Sequence, residues 1–231
     1  MLEHLGDKLV LRIDIAGRAL ELDFITILMS WIVMLILIGL ALWLRKGLRE
    51  EVEAEPSSRQ VMMEYLIEIL DEQFLRAFES DMLRKRLFAF VSTLFLFTLV
   101  SNWISVIPGF QSPTRDLNVP LGFAFLVFFL SHYYGMKING TGTYLKSFFE
   151  PYPFMAPLNV ISEVAKPLSH SFRLFGNVFG GAVLVAVVSA KLIPFVLPAF
   201  LQIFYGLFIG AVQAFVFALL AVAYINVAVE G

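Results

Sequence analysis

"FITILMSWIVMLILIGLALWL", Phe24–Leu44, runs for twenty-one residues without a charge. As a helix rising about 1.5 Å per residue, it covers the roughly 30 Å of hydrocarbon in a bilayer. Lipid offers no partner for backbone N–H and C=O groups, so such a stretch must satisfy them within itself, as a helix does. Arg45, Lys46 and Arg49 close the run. The remainder is of one kind with it: 231 residues, 59% hydrophobic and 16% charged, where soluble domains have about 45–50% and 25%. The reading is an integral membrane protein.

Composition narrows the chemistry. There is no cysteine, which excludes disulfides and thiolate metal sites, and the three histidines, His4, His132 and His170, are scattered. No metal site or cofactor is expected. A net charge of −2 makes nucleic acid an unexpected partner. With no nucleophile–base pair in view, the chain does not read as an enzyme on its own.

Working outward, residues 1–23 read as an extramembrane segment and 24–231 as a single membrane domain. Met1–Asp23 mixes acids and bases, unlike a secretory leader. Within it Lys8–Leu22 alternates apolar and polar residues and turns at Ala16-Gly17-Arg18, which predicts a short hairpin. Spans are expected at about 24–44, 87–107, 117–136, 158–190 and 199–229. After the acidic linker "EEVEAEP" (Glu50–Pro56), Ser58–Arg84 predicts an amphipathic helix on the membrane surface, with Met62, Leu66, Ile69, Leu70, Phe74 and Phe78 on one side. Lys191, Pro194 and Pro198 separate the last two spans. The fold expected is all-α, five transmembrane helices plus the surface helix, the last two spans forming a long, tilted hairpin. Eight basic residues between Arg45 and Arg86, joined by Lys137 and Lys146, place that side in the cytoplasm, the N-terminus outside and the C-terminus inside.

The fourth predicted span carries Glu163, Lys166, His170, Arg173 and Asn177, spaced 3, 4, 3 and 4. That spacing sets them along one face of a helix. Glu163 and Lys166, near the helix start, have an equal claim to a structural reading, reaching the interface or pairing with each other. His170 has a plain reading too, as a hydrogen bond to a neighbouring helix. Arg173 lies deeper, where insertion costs about 2.5–3.5 kcal/mol. A guanidinium does not release its proton, so it acts as a fixed cation. Apart from Glu163, ten positions back, no Asp or Glu falls within any predicted span. Asp116 sits at the start of the third, where helix capping is the plain reading. Either the acid that meets Arg173 belongs to another protein, or a small anion binds there. The last span bears its own stripe of Gln202, Gly206, Gly210, Gln213, Phe217 and Tyr224. Gly176–Gly180 and Gly206–Gly210 are both GxxxG patterns, the signature of close helix packing in lipid, and Gly181 adjoins the first.

"KPLSHSFRLFGNVFGG" (Lys166–Gly181), together with "GAVQAFVFALLAVAY" (Gly210–Tyr224), resembles subunit a of the rotary F-type ATP synthases. "PTRDLNVPL" (Pro113–Leu121) and "HYYGMKINGTGTYLKSF" (His132–Phe148) resemble the family's loops on either side of the third span. The resemblance runs from Phe24 to the C-terminus. It implies a stator subunit with two offset half-channels that carry H+, or alternatively Na+, to and from carboxylates on a rotating ring of c-type proteolipids. It also implies peripheral-stalk b subunits as partners, and an energy-transducing membrane: a bacterial plasma membrane, or alternatively one of thylakoid type. Arg173 would stand between the half-channels, with Asn177 and Gln213 beside it. Asp116 and Tyr224 match half-channel positions; Glu163, Lys166, His170 and Gln202 are further candidates. The five glycines would serve close packing between helices or against the ring. Many family members carry an ionisable relay where this chain has Ala182 and Gly206. Two rival readings are a stand-alone transporter for an anionic solute bound by Arg173, and a scaffold whose stripe only binds neighbouring helices.

Overall fold

The computed structural model describes residues 10–15, 18–47, 57–76, 78, 81–107, 109–150, 152–191 and 196–230. Alternation at the N-terminus does form a hairpin: β1 (Val10–Ile15) pairs antiparallel with β2 (Arg18–Asp23), in register from Val10 opposite Asp23 to Ile15 opposite Arg18. The hairpin turn at Ala16–Gly17, Pro194 and the acidic linker lie outside the described residues. β2 leads directly into α1 (Phe24–Arg45), whose first free N–H groups are met by the Asp23 carboxylate, which accepts from Ile25 at 3.0 Å. A capping carboxylate also opposes the positive end of the helix dipole. α1 buries only Val33 and Leu44, while Trp31, Leu35 and Ile38 stand more than half exposed. This is the surface of a peripheral helix facing lipid.

Five helices are long and apolar enough to cross a membrane. After α1 come α2 (Ser58–Leu70), prolonged by a π-helical turn over Asp71–Leu75, then α3 (Asp81–Ile104), α4 (Asn118–Asn139) and the short α5 (Thr141–Ser147). α6 (Ala156–Lys191) follows. The last span is α7 (Val196–Ile203), a π-helical stretch over Phe204–Ile209, and α8 (Gly210–Glu230). At 36 residues, α6 is about 54 Å long, so it must incline steeply or run into the headgroups. Pro167 lies inside it and withdraws the N–H that would bond the Glu163 carbonyl.

The surface helix is shorter than the sequence predicts. It does not reach Arg84; Asp81–Arg86 instead form the first turns of α3. The reason is packing. Leu70, Phe74 and Phe78 are buried against Leu83, Leu87 and Val91 of α3 and against Ala218, Val222 and Ile225 of α8, and one straight helix could not fold back onto them. Met62 and Ile69, expected on the same side, are exposed. Asp71 locks the corner by accepting from the Arg84 Nε at 2.8 Å and from its Nη2. That hydrogen bond and the guanidinium's charge hold the Asp71 carboxyl below its usual range. A depressed acid stabilises only while ionised, so its contribution is present at neutral pH and lost as pH falls through the carboxylate range. Asp71→Asn therefore lowers the thermal midpoint of the assembled protein at pH 7, and the difference from native narrows below about pH 4. Both side chains are about a third exposed, so the effect is small.

α8 forms the centre of the bundle, with Ala214, Phe217, Ala218, Ala221 and Ile225 fully buried. Small residues let α3 and α4 come close on either side, which is how helices associate where the solvent is itself apolar. Gly135 marks where α4 comes close to the backbone of α8. A Cβ there would lie 2.6 Å from the Ala228 carbonyl oxygen and 2.5 Å from the Tyr144 ring. Asn139 then ties the helix ends together, donating to the Val229 carbonyl at 2.9 Å. α6 packs on α4 and on the last span and leaves its other side open.

Candidate functional site

The stripe on α6 resolves into distinct surroundings. Glu163 and Lys166 form a half-buried ion pair one turn apart. His170 is 1% exposed, and its Nε2–H donates to the Phe217 carbonyl at 3.0 Å. Asn177 donates through Nδ2 to Oε1 of Gln213 at 2.6 Å, joining α6 to α8. Arg173, between His170 and Asn177 in the stripe, is exposed on the open side of the helix. The ion pairs among the described residues are Arg76–Glu72, Arg84–Asp71 and Lys166–Glu163, and none involves Arg173. Beside it, a Cβ built at Gly176 or Gly180 would meet nothing within 4 Å. A permanent cation thus stands on an apolar surface, flanked by two positions without side chains.

The other three glycines serve contacts within the chain. Gly181 admits the Tyr205 ring, which a Cβ would approach to 2.8 Å; Gly206 admits Val106, at 2.3 Å; Gly210 admits Asn102, at 2.9 Å. They let α6 and α3 press against the last span.

Where the last span widens into its π-helical stretch, a cavity of about 530 Å³ opens between it, the end of α3, the turn at Pro113–Arg115 and the second half of α6. π-helical turns of this kind are common at functional sites. Asn177, one helical turn from Arg173, lines the cavity with Gln213, Gln111 and Arg115. Gln202 lines it while donating to the Ser105 carbonyl. Ala182 and Gly206, the two positions where the family resemblance leads one to expect an ionisable relay, are both on its wall. Asp116 is not among the lining residues; its Oδ1 accepts from the backbone and side-chain nitrogens of Asn118, both at 3.0 Å, and so caps α4.

Asn102 is a residue of the cavity wall that sequence reading passed over. It is 2% exposed, donates to the Gly210 carbonyl at 2.9 Å and accepts from the Thr114 hydroxyl at 2.7 Å. It thereby fixes both α8 and the Pro113–Arg115 turn to α3, as the cavity's frame. Its signal was a lone amide in the uncharged run of α3, where a polar side chain is costly unless it finds partners. On the other side of His170, a small cleft is lined by Glu163, Lys166, Pro167, Ser131 and Tyr224. The Tyr224 ring meets the His170 ring edge-on, centroids 5.5 Å apart.

An exposed cation without an acid among the described residues, with an amide-bearing cavity reaching to within a turn of it, sits in a bundle of five membrane-length helices. The family description ATP synthase A chain matches residues 27–226. ATP synthase subunit a of Acidothermus cellulolyticus is 37% identical over 86% of this chain and 74% of its own length. ATP synthase subunit a 1 of Crocosphaera subtropica is 37% identical over 87% of this chain and 84% of its own. The sodium ion specific subunit a of Propionigenium modestum is 36% identical over 87% and 73%. The chain belongs to the ATP synthase A chain family. It is a membrane-embedded, ion-translocating subunit that does not itself carry out the chemistry on ATP.

Proposed function

We propose that this chain is the stator against which a ring of c-type proteolipids turns, with Arg173 facing the ring's carboxylates. The cavity ending at Asn177 and Gln213 serves as one half-channel, and the cleft around Glu163, Lys166 and Tyr224 lies on the route of the other. The observation that carries this reading is Arg173 itself, exposed on the open side of α6 with no acid of the described residues to pair with. Gly176 and Gly180 leave room beside it for a partner helix. A carboxylate passing within about 4–6 Å of a guanidinium has its pKa lowered by 1–3 units, which drives it to release its ion. Rotation through lipid on the far side requires the carboxylate to be neutral, so ion loading and rotation become linked. Each charge that crosses gains about 2.3 kcal/mol per 100 mV.

With Ala182 and Gly206 on its wall, the cavity moves its ion through water and neutral amides instead of a carboxylate or histidine relay. H+ is the ion proposed, with Na+ as the alternative, and the ring's binding site would choose between them. Peripheral-stalk b subunits hold the chain against torque, in a bacterial plasma membrane with the N-terminus outside and the C-terminus in the cytoplasm.

Filling the cavity tests this reading. Ala182→Phe adds a ring to the wall beside Gln213. Ion-driven ATP synthesis and passive ion conduction by the membrane sector should both fall about tenfold or more, as desolvation of the route requires, while the complex still assembles. Unchanged conduction would send the ion elsewhere. Solute flux from the purified chain alone in liposomes would instead favour the anionic-solute transporter.

A further inference from the structure

The two openings in this chain do not meet. Along α6 the cavity includes Asn177 and Val178, and the cleft includes Lys166 and Pro167. The ten residue-to-residue steps from Pro167 to Asn177 rise about 15 Å. Between them α6 turns His170, Ser171 and Leu174 inward, at 1%, 0% and 0% exposure. Phe217 and Ala221 of α8, both at 0%, pack with Leu174 together with Leu94 of α3 and Val127 of α4. The His170 ring lies over that of Phe217 with centroids 3.9 Å apart. Its Nδ1 is buried and takes no hydrogen bond from the protein.

We propose that His170 is a positioning residue at the centre of a dry seal, built with Phe217 and Leu174, that keeps the two openings apart inside the stator's own bundle. The seal differs from the role of Arg173, which lies on the open face of α6 and guards the surface toward the partner. An ion slipping between helices would never pass that guanidinium. It would pass His170. The imidazole contributes bulk, and its bond to the Phe217 carbonyl clamps α6 to α8. That clamp sets the helix rotation in which Arg173 points out and Asn177 reaches Gln213. This inference rests on the half-channel reading of the two openings.

The chain has no cysteine of its own, so single reporters can be placed in it without internal background. In the complete complex in membrane vesicles, Ala182→Cys and Ser171→Cys are each exposed to a small hydrophilic methanethiosulfonate from either side. Ala182→Cys labels from one side. Ser171→Cys, nearly isosteric with the native residue, labels at least about 100-fold more slowly from both, because it reacts only through local opening. In His170→Ala the space left admits water, Ser171→Cys labels about tenfold faster, and passive ion flux rises about fivefold. That added flux persists after a carbodiimide has blocked the carboxylates of the partner subunits. His170→Phe, which keeps the bulk, returns the flux to within about twofold of native.

The proposal is overturned if Ser171→Cys labels as fast as Ala182→Cys in the native background, if His170→Ala leaves flux unchanged, or if its added flux vanishes under carbodiimide. Should His170→Ala fail to assemble, the two native-background rates decide alone. Silence at Ala182→Cys, by contrast, overturns the half-channel reading and the seal with it.

Discussion

Arg173→Ala leaves an assembled complex that no longer makes ATP from an ion gradient. The side chain lies on the open face of α6 and takes no part in the ion pairs of the described residues, so its removal takes away little internal packing. On the proposed reading, what is lost is the field that lowers a passing carboxylate's pKa. A lowering of 1–3 units corresponds to a 10- to 1,000-fold shift in the equilibrium for ion release, and synthesis should fall by about 100-fold or more. Lysine is an incomplete substitute, because its ammonium can give up a proton and lacks the planar fork that pairs with a carboxylate. The measurement is ATP synthesis by vesicles under an imposed ion gradient, with assembly checked by copurification. An assembled Arg173→Ala complex with native coupling would refute the assignment of the cation.

The second large effect is structural. Gly135→Val should prevent the chain from accumulating in folded form. A Cβ at that position meets the Ala228 carbonyl oxygen at 2.6 Å, and a backbone atom in a central helix cannot step aside as a side-chain tip can. The Tyr144 ring closes the other side at 2.5 Å. Overpacking a well-filled site costs about 1–3 kcal/mol, occasionally more, and here α4 and α8 would have to part along their shared length. Gly122→Val, on the same helix at a position with nothing within 4 Å of its Cβ, is the control. Membrane yield and thermal stability should collapse for the first variant and hold for the second. Equal behaviour of the two would show that the α4–α8 approach does not limit folding.

Spans were legible because lipid imposes a simple rule on long uncharged runs. Arg173 was legible for the same reason: a permanent charge in such a run stands out. The surface helix was misjudged at its far end, because the pattern of apolar residues in Ser58–Arg84 does not say whether Phe74 and Phe78 face lipid or fold back onto α3. The stripe from Glu163 to Asn177 was read from spacing alone. Spacing groups residues on a face but does not reveal that His170 turns in to Phe217 while Arg173 turns out. Asn102 was overlooked because its meaning depends on Gly210, 108 positions away. The cavity was not foreseeable at all, since it arises where a helix changes its winding.

That change of winding, at Phe204–Ile209, has one further consequence. A turn that bonds five residues apart instead of four takes up about one extra residue, and so offsets α8 from α7 by roughly 100° around the axis. The segments before and after the turn are therefore out of phase. One rod presents its amide side chains along a path that no uniform helical wheel would draw. On an unbroken wheel Gln202 and Gln213, eleven residues apart, fall within about 20° of each other; the extra residue turns them roughly 100° apart, and they line the same hollow from different sides.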